Sequence, residues 1–239
     1  MPRRTAVLFA GVIAASLSLA AGAVAQTAAS YPNMAPIEQY LSASQADEIA
    51  LARSAAPASI SDNATVLALS AHGYETAAQG ANGFVCIVQR AWANDFSSNE
   101  FWNPKLRAPI CFNAAAAHSV LPEYLQRTQW VLAGASKSEL LERTRAALTA
   151  GAIAQPEPGA MCYMMSRRGY LGDAARGPWH PHLMFFFPRT EPAVWGANVA
   201  DGAVIAFPDG VDPLTTFLIP VPHWSDGSPD AAAGGTMSH

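Results

Sequence analysis

The chain has 239 residues, 51% of them hydrophobic and only 13% charged, with a formal net charge of −4. The acidic balance, the mere two lysines (Lys105 and Lys137) and the lack of any basic cluster exclude a nucleic-acid footprint.

At the N-terminus, Arg3 and Arg4 precede an uncharged apolar run from about Ala6 to Leu19, and Ala23-Val24-Ala25 stands before Gln26. This order of charged, apolar and small residues predicts a secretory signal over residues 1–25, cleaved after Ala25. The run is nearly long enough to span a bilayer, so an uncleaved anchor is the competing reading; the alanine content and the small residues before Gln26 favour removal. Cleavage leaves 214 residues with 12 basic side chains (Arg3 and Arg4 removed) against 18 acidic ones, a balance of −6. A chain of that size can form one domain that buries roughly 70% of its unfolded surface. No second stretch is long and apolar enough to cross a membrane. The expectation is an exported, soluble protein, periplasmic or secreted, with no stable membrane anchor after cleavage.

Residues 26–35 are small and polar, a flexible lead-in. Ser44 with Asp47 marks a helix start, with Ala46, Ile49, Ala50 and Arg53 behind it and an end before Pro57. Thr65–Leu69 reads as a strand, His72–Glu75 as its turn, and Gly83–Trp92 as a second strand of alternating apolar residues. The loop from Ala93 to Pro109 is long for a plain connection; Phe96, Phe101 and Trp102 either pin it to the body or line a binding edge, and pinning is the stronger expectation. Pro109–Phe112 is a short strand, and Asn113 can cap a helix through the alanines that follow. Pro122 suits the first turn of the next helix, which ends at Gly134. Ser136 and Glu139 form a capping box for a helix burying Leu140, Leu141, Thr144, Ala147 and Leu148, closed by Gly151. Gly159–Ser166 and His180–Pro188 make an antiparallel hairpin, and two more strands follow at Ala203–Phe207 and Thr215–Trp224.

The fold class is therefore α+β: one domain over residues 36–224, with a mainly antiparallel sheet of five to seven strands and three or four helices packed on one side. Residues 225–239 read as a disordered tail. Cys86, Cys111 and Cys162 each stand among apolar neighbours, which favours three buried thiols over one bridge and a leftover cysteine.

The densest chemistry lies at Trp179-His180-Pro181-His182, the mouth of the His180–Pro188 strand. On a strand, His180, His182, Met184 and Phe186 share one face, and Leu183, Phe185 and Phe187 the other. Two imidazoles on one face can take two positions around zinc or iron, with His72, Glu75, His118, Asp173 and His223 available for a third. None is at a diagnostic spacing, and the glutamate that a cupin-type metal site places just after such a pair is replaced here by Phe186 and Phe187. No nucleophile elbow, phosphate loop, dinucleotide fingerprint or zinc-protease helix motif is present. A second arrangement is a concave aromatic surface drawing on Trp179, Trp195, Trp224, Phe101 and Trp102, although tryptophan is more often a large core residue.

The segments SISDNATVLAL, GFVCIVQRAW, FWNPKLRAPICF, PGAMCYMMS and WHPHLMFF together resemble a set of exported bacterial proteins of unknown function. The resemblance, which runs from about Tyr40 to Gly227, implies export and a single domain and transfers no functional residue. The leading functional expectation is a module that binds a small ligand or partner through His180, His182, Trp179, His72, Glu75 and His223. The alternatives are a metal-dependent hydrolase or oxidoreductase holding zinc or iron on His180 and His182, and a structural or interaction protein.

Overall fold

Helix boundaries follow local chemistry. The structure, a computed structural model, describes Met1 and residues 31–173, 180–208, 210–211 and 214–230. The expected signal after Met1, the first part of the lead-in, Trp179 and residues 231–239 lie outside the described residues. Ser44 adopts extended backbone and its hydroxyl accepts from the Asp47 N–H, opening α1 (Gln45–Arg53). A single turn, α2 (Ala58–Ser61), follows Pro57. Asn113 caps α3 (Ala114–Ser119) through the Ala116 N–H, and Pro122 lies in the first turn of α4 (Leu121–Leu132). Gly134 then takes a φ of 84°, which ends the helix in a region that a side chain resists. Both halves of the Ser136–Glu139 capping box are present at α5 (Lys137–Thr149), which buries Leu140 and Thr144.

The strands are β1 (Thr65–Ser70), β2 (Gly73–Ala78), β3 (Val85–Gln89), β4 (Ala108–Phe112), β5 (Met161–Met164), β6 (His182–Pro188), β7 (Ile205–Pro208) and β8 (Leu214–Pro220). They form one sheet in the order β2-β1-β3-β4-β5-β6-β8-β7. Every pairing is antiparallel except β1 with β3. Among the described residues the sheet thus has eight strands rather than five to seven. The extra strand is β2, expected as a turn: Glu75 and Thr76 break its apolar pattern because they stand exposed at the sheet's edge.

Helices cover both faces, not one. Ala116, Val120 and Leu121 of the α3–α4 region pack on Ile87, Ile110 and Phe112. Ala52 of α1, with Ala55 and Ala56 just beyond it, packs on Cys86, Val88 and Cys111 from the other side. Alternate residues of β3 and β4 are apolar on each face, so each face needs its own cover. Helix α1 buries Glu48 and Ala52, not the Ala46–Ala50 face expected for it.

Cys86 and Cys111 stand opposite each other across β3 and β4 and form a disulfide beneath α1, which corrects the expectation of three thiols. Cys162 remains a buried thiol on the opposite face, and burial pushes its pKa upward. Behind the disulfide layer lies a fully buried ion pair. Arg90 Nη2 donates to both oxygens of Glu48 at 2.9 Å, and Arg90 Nε donates to the Tyr40 carbonyl. Phe101 and Trp102 are buried and pin the 93–109 loop, as expected.

Two segments close the sheet. Asn198, at a φ of 60°, lies along the outer edge of β7: its Nδ2 donates to the Ala206 carbonyl, its Oδ1 accepts from the Ala206 N–H, and its own N–H donates to the Val204 carbonyl. At the C-terminal end, residues 225–230 pack on the body, where a disordered tail was expected. The Ser225 N–H donates to the Met165 carbonyl, and Asp230 is buried.

Candidate functional site

The histidine end is built by three strand ends and the C-terminal segment. β5 delivers Met164 beside His182, and β8 delivers Pro220 on its other flank. The Val221 N–H donates to the Pro181 carbonyl, which brings the following loop back over His180. There His180 Nδ1 donates to Asp230 Oδ2 at 2.6 Å; the aspartate is buried and the imidazole half-exposed. His182 Nδ1 donates to the His180 carbonyl at 2.8 Å, and burial lowers the pKa of this ring, so it favours the neutral form. His180 Nε2 has no hydrogen-bond partner among the described residues.

The other sequence-chosen residues do not converge there. His72 and Glu75 lie at the β1–β2 end of the sheet, with β3, β4 and β5 between them and β6. Glu75, on β2, is five strand spacings from β6, about 24 Å. Glu75 instead borders a groove of about 220 Å³ with Ser42, Ser44, Glu48 and Ser70. His223 is exposed on the C-terminal segment that carries Asp230. His118 pairs with Glu157 on the surface, and Asp173 accepts from the hydroxyls of Tyr31 and Tyr170. Among the described residues no group of three or more His, Cys, Asp or Glu side chains could hold a metal ion. The aromatic surface is not assembled either: Trp224 is buried, while Trp195 stacks on Phe217 at the far side of the sheet. Trp179 lies outside the described residues.

A different site emerges on the α4 face of β6. Phe186, on the face of β6 shared with His182, forms a wall with Val120 and Leu214. Opposite stand Glu123 and Arg127, one turn apart on α4, and above them lie Asn94, Asp95 and Phe96 of the pinned loop. The enclosed cavity measures about 70 Å³, room for roughly five water molecules or a small ligand. Arg127 Nη2 donates to Glu123 Oε1 at 2.5 Å, Nη1 donates to the carbonyls of Trp92 and Asn94 at 3.4 Å, and the guanidinium lies 4.6 Å from the Phe96 ring centre.

Glu123 is only 9% exposed yet also borders two further cavities, of about 160 Å³ and 10 Å³, shared with Ser119, Ile153 and Ala154. Its Oε2 has no hydrogen-bond partner among the described residues. Arg127 Nε is sealed from solvent and likewise unpartnered. Asp95 Oδ1 accepts from the Ser97 N–H and hydroxyl, and these bonds hold the carboxyl below its usual range. Burial raises the Tyr124 hydroxyl, which keeps it protonated. The cleft therefore combines an apolar wall with acceptors that the fold leaves unspent. Sequence reasoning missed it because a Glu and an Arg spaced by four, as at Glu123 and Arg127, recur on many solvent-exposed helices and mark no site by themselves. The one available signal was Phe96, already placed in a loop of binding-edge length.

Searches against protein-family models, curated proteins and solved structures found no match to this chain.

Proposed function

We propose that this domain is an exported binding module whose small-molecule ligand sits in the cleft at Glu123. The observation that carries the reading is the Glu123 carboxylate: nine-tenths buried, bordering three cavities, with one oxygen spent on Arg127 and the other open. The open oxygen stands on a side chain that is otherwise shielded from water, where a hydrogen bond from a ligand is electrostatically stronger than at the surface. Phe186, Val120 and Leu214 supply the apolar contact that such a pocket needs. Export is supported by the Cys86–Cys111 bridge, which suits an oxidising compartment, and by the leader sequence.

A thermal-shift screen of small polar compounds tests the reading. A ligand at a hundred times its Kd adds about 2.7 kcal/mol, which raises the Tm by about 5–10 °C. The variant Leu214→Trp, which fills the cleft from its partly exposed rim, should lose that shift while keeping its own Tm. A hit that stabilises Leu214→Trp as strongly as the parent would move the ligand elsewhere.

A second reading belongs to His180. Its Nδ1 is held by a carboxylate and its Nε2 is unpartnered among the described residues, the orientation in which an imidazole meets a metal ion. In that reading His180 and His182 would contact zinc or iron, and the protein would be a metal-dependent enzyme.

A further inference from the structure

The ligand class follows from which hydrogen-bonding groups around the cleft are already committed; this step rests on the cleft being the binding site. Among the described residues the one cation lining it, Arg127, has its outer nitrogens on Glu123 and two backbone carbonyls, its ring-facing side on Phe96, and its Nε closed to solvent. Lys137, next to the loop, donates to the Ser98 carbonyl and lies over Phe101 at 4.9 Å. Neither cation is placed to receive an anion. The carboxylates are in the opposite condition. Glu123 Oε2 and Asp95 Oδ2 have no partners among the described residues, and both side chains line the same cavity. Asp95, Glu123 and Arg127 together leave one negative charge on the lining.

We infer that the cleft binds a small aliphatic primary amine as its ammonium ion, with the nitrogen between Glu123 Oε2 and Asp95 Oδ2 and the alkyl body against Phe186, Val120 and Leu214. An ammonium brings three donors and one positive charge, which matches two open carboxylate oxygens. A carboxylate ligand would meet like charge, and an alcohol would satisfy one acceptor but not the charge. The apolar wall selects against amines with a polar body, because they would lose water at Phe186 and Leu214 without replacement bonds.

The test uses the full mature chain, uniformly labelled with ¹⁵N, and three probes of equal size: n-propylamine, n-propanol and propionate, at pH 7 and matched salt. The expected result is movement of the backbone amides at 94–96, 119–127 and 214–216 by the amine, with a Kd at least tenfold lower than for either other probe. Glu123→Gln and Asp95→Asn should each raise the amine Kd tenfold or more. Because Glu123→Gln strips the partner from a buried guanidinium, Asp95→Asn, on the exposed loop, carries the test if that variant unfolds. If propanol moves the same amides equally well, the cleft stands and the ammonium assignment falls. Preference for propionate overturns the assignment too, as does an unchanged amine Kd in Asp95→Asn. If none of the three moves these amides, the cleft itself is not the site.

Discussion

The histidine end and the Glu123 cleft both place charged groups against the same strand, β6, yet they differ in how those groups are employed. At the histidine end His180, Asp230 and His182 bond to one another or to the backbone, and the result fastens residues 221–230 to the strand mouth. In the cleft an equally buried carboxylate gives one oxygen to Arg127 and keeps the other open to a cavity. Conspicuous residue types therefore mark the fastening, and a plain Glu–Arg pair marks the cleft. Chemistry that can serve a ligand is recognised by what a side chain has left over, not by its rarity.

The sharpest way to break this contrast is to remove one member of each pair. Arg127→Ala leaves the Glu123 charge inside with no counter-ion, at a cost of about 3–5 kcal/mol. The Tm should then fall by about 6–20 °C in a thermal melt. The double change Glu123→Leu with Arg127→Met should recover most of the loss, since an apolar pair replaces the ion pair without desolvation. A single-variant loss below 1 kcal/mol would show that the pair is hydrated and the cleft open.

A smaller effect is expected at the other end. His180→Ala removes one charge-assisted bond from buried Asp230, about 1.5–3 kcal/mol, or a Tm lower by about 3–12 °C. Calorimetric titration of the parent with zinc chloride sharpens the result. Tight one-to-one binding that His180→Ala abolishes would make this end a metal site and not only a fastening.

The smallest effect is in acid. His182 has its pKa lowered by burial, so below its unfolded value of about 6.5 the unfolded chain takes up a proton that the folded chain resists. Its stabilising contribution is present above that pH and is lost as the pH falls toward the folded value. Denaturant melts from pH 7 to pH 5 should therefore show declining stability, with a shallower slope in His182→Gln. An identical slope in that variant would mean that His182 gains its proton without unfolding.

How much of this was legible in the sequence depended on distance along the chain. The caps at Ser44, Asn113 and Ser136 were readable because donor and acceptor lie within three residues. The alternation of β6 was readable for the same reason: Phe186 packs in one cluster, and its neighbours Phe185 and Phe187 pack in another on the opposite face. β2 was not readable, because an exposed edge strand needs no apolar period. The α1 face was misread because the charge of a buried glutamate, Glu48, is met by Arg90, forty-two residues away. The cleft was beyond reach for the same reason: it gathers residues from 93 to 216, and no local pattern records their meeting.

One side chain also decides what this sheet can become. A row of eight strands has two free ends, and any free end is a template on which another chain can grow. At β7 the Asn198 amide answers both the N–H and the carbonyl of Ala206, while Pro208 has no N–H to offer. At β2 the exposed Glu75 discourages a copy of itself. The molecule thus carries Trp195, Val199, Ile205 and Phe207 exposed beside a strand edge without presenting the hydrogen-bond ladder that would turn stickiness into a fibre. Asn198 works as a full stop: it lets the sentence of the sheet end at the eighth strand.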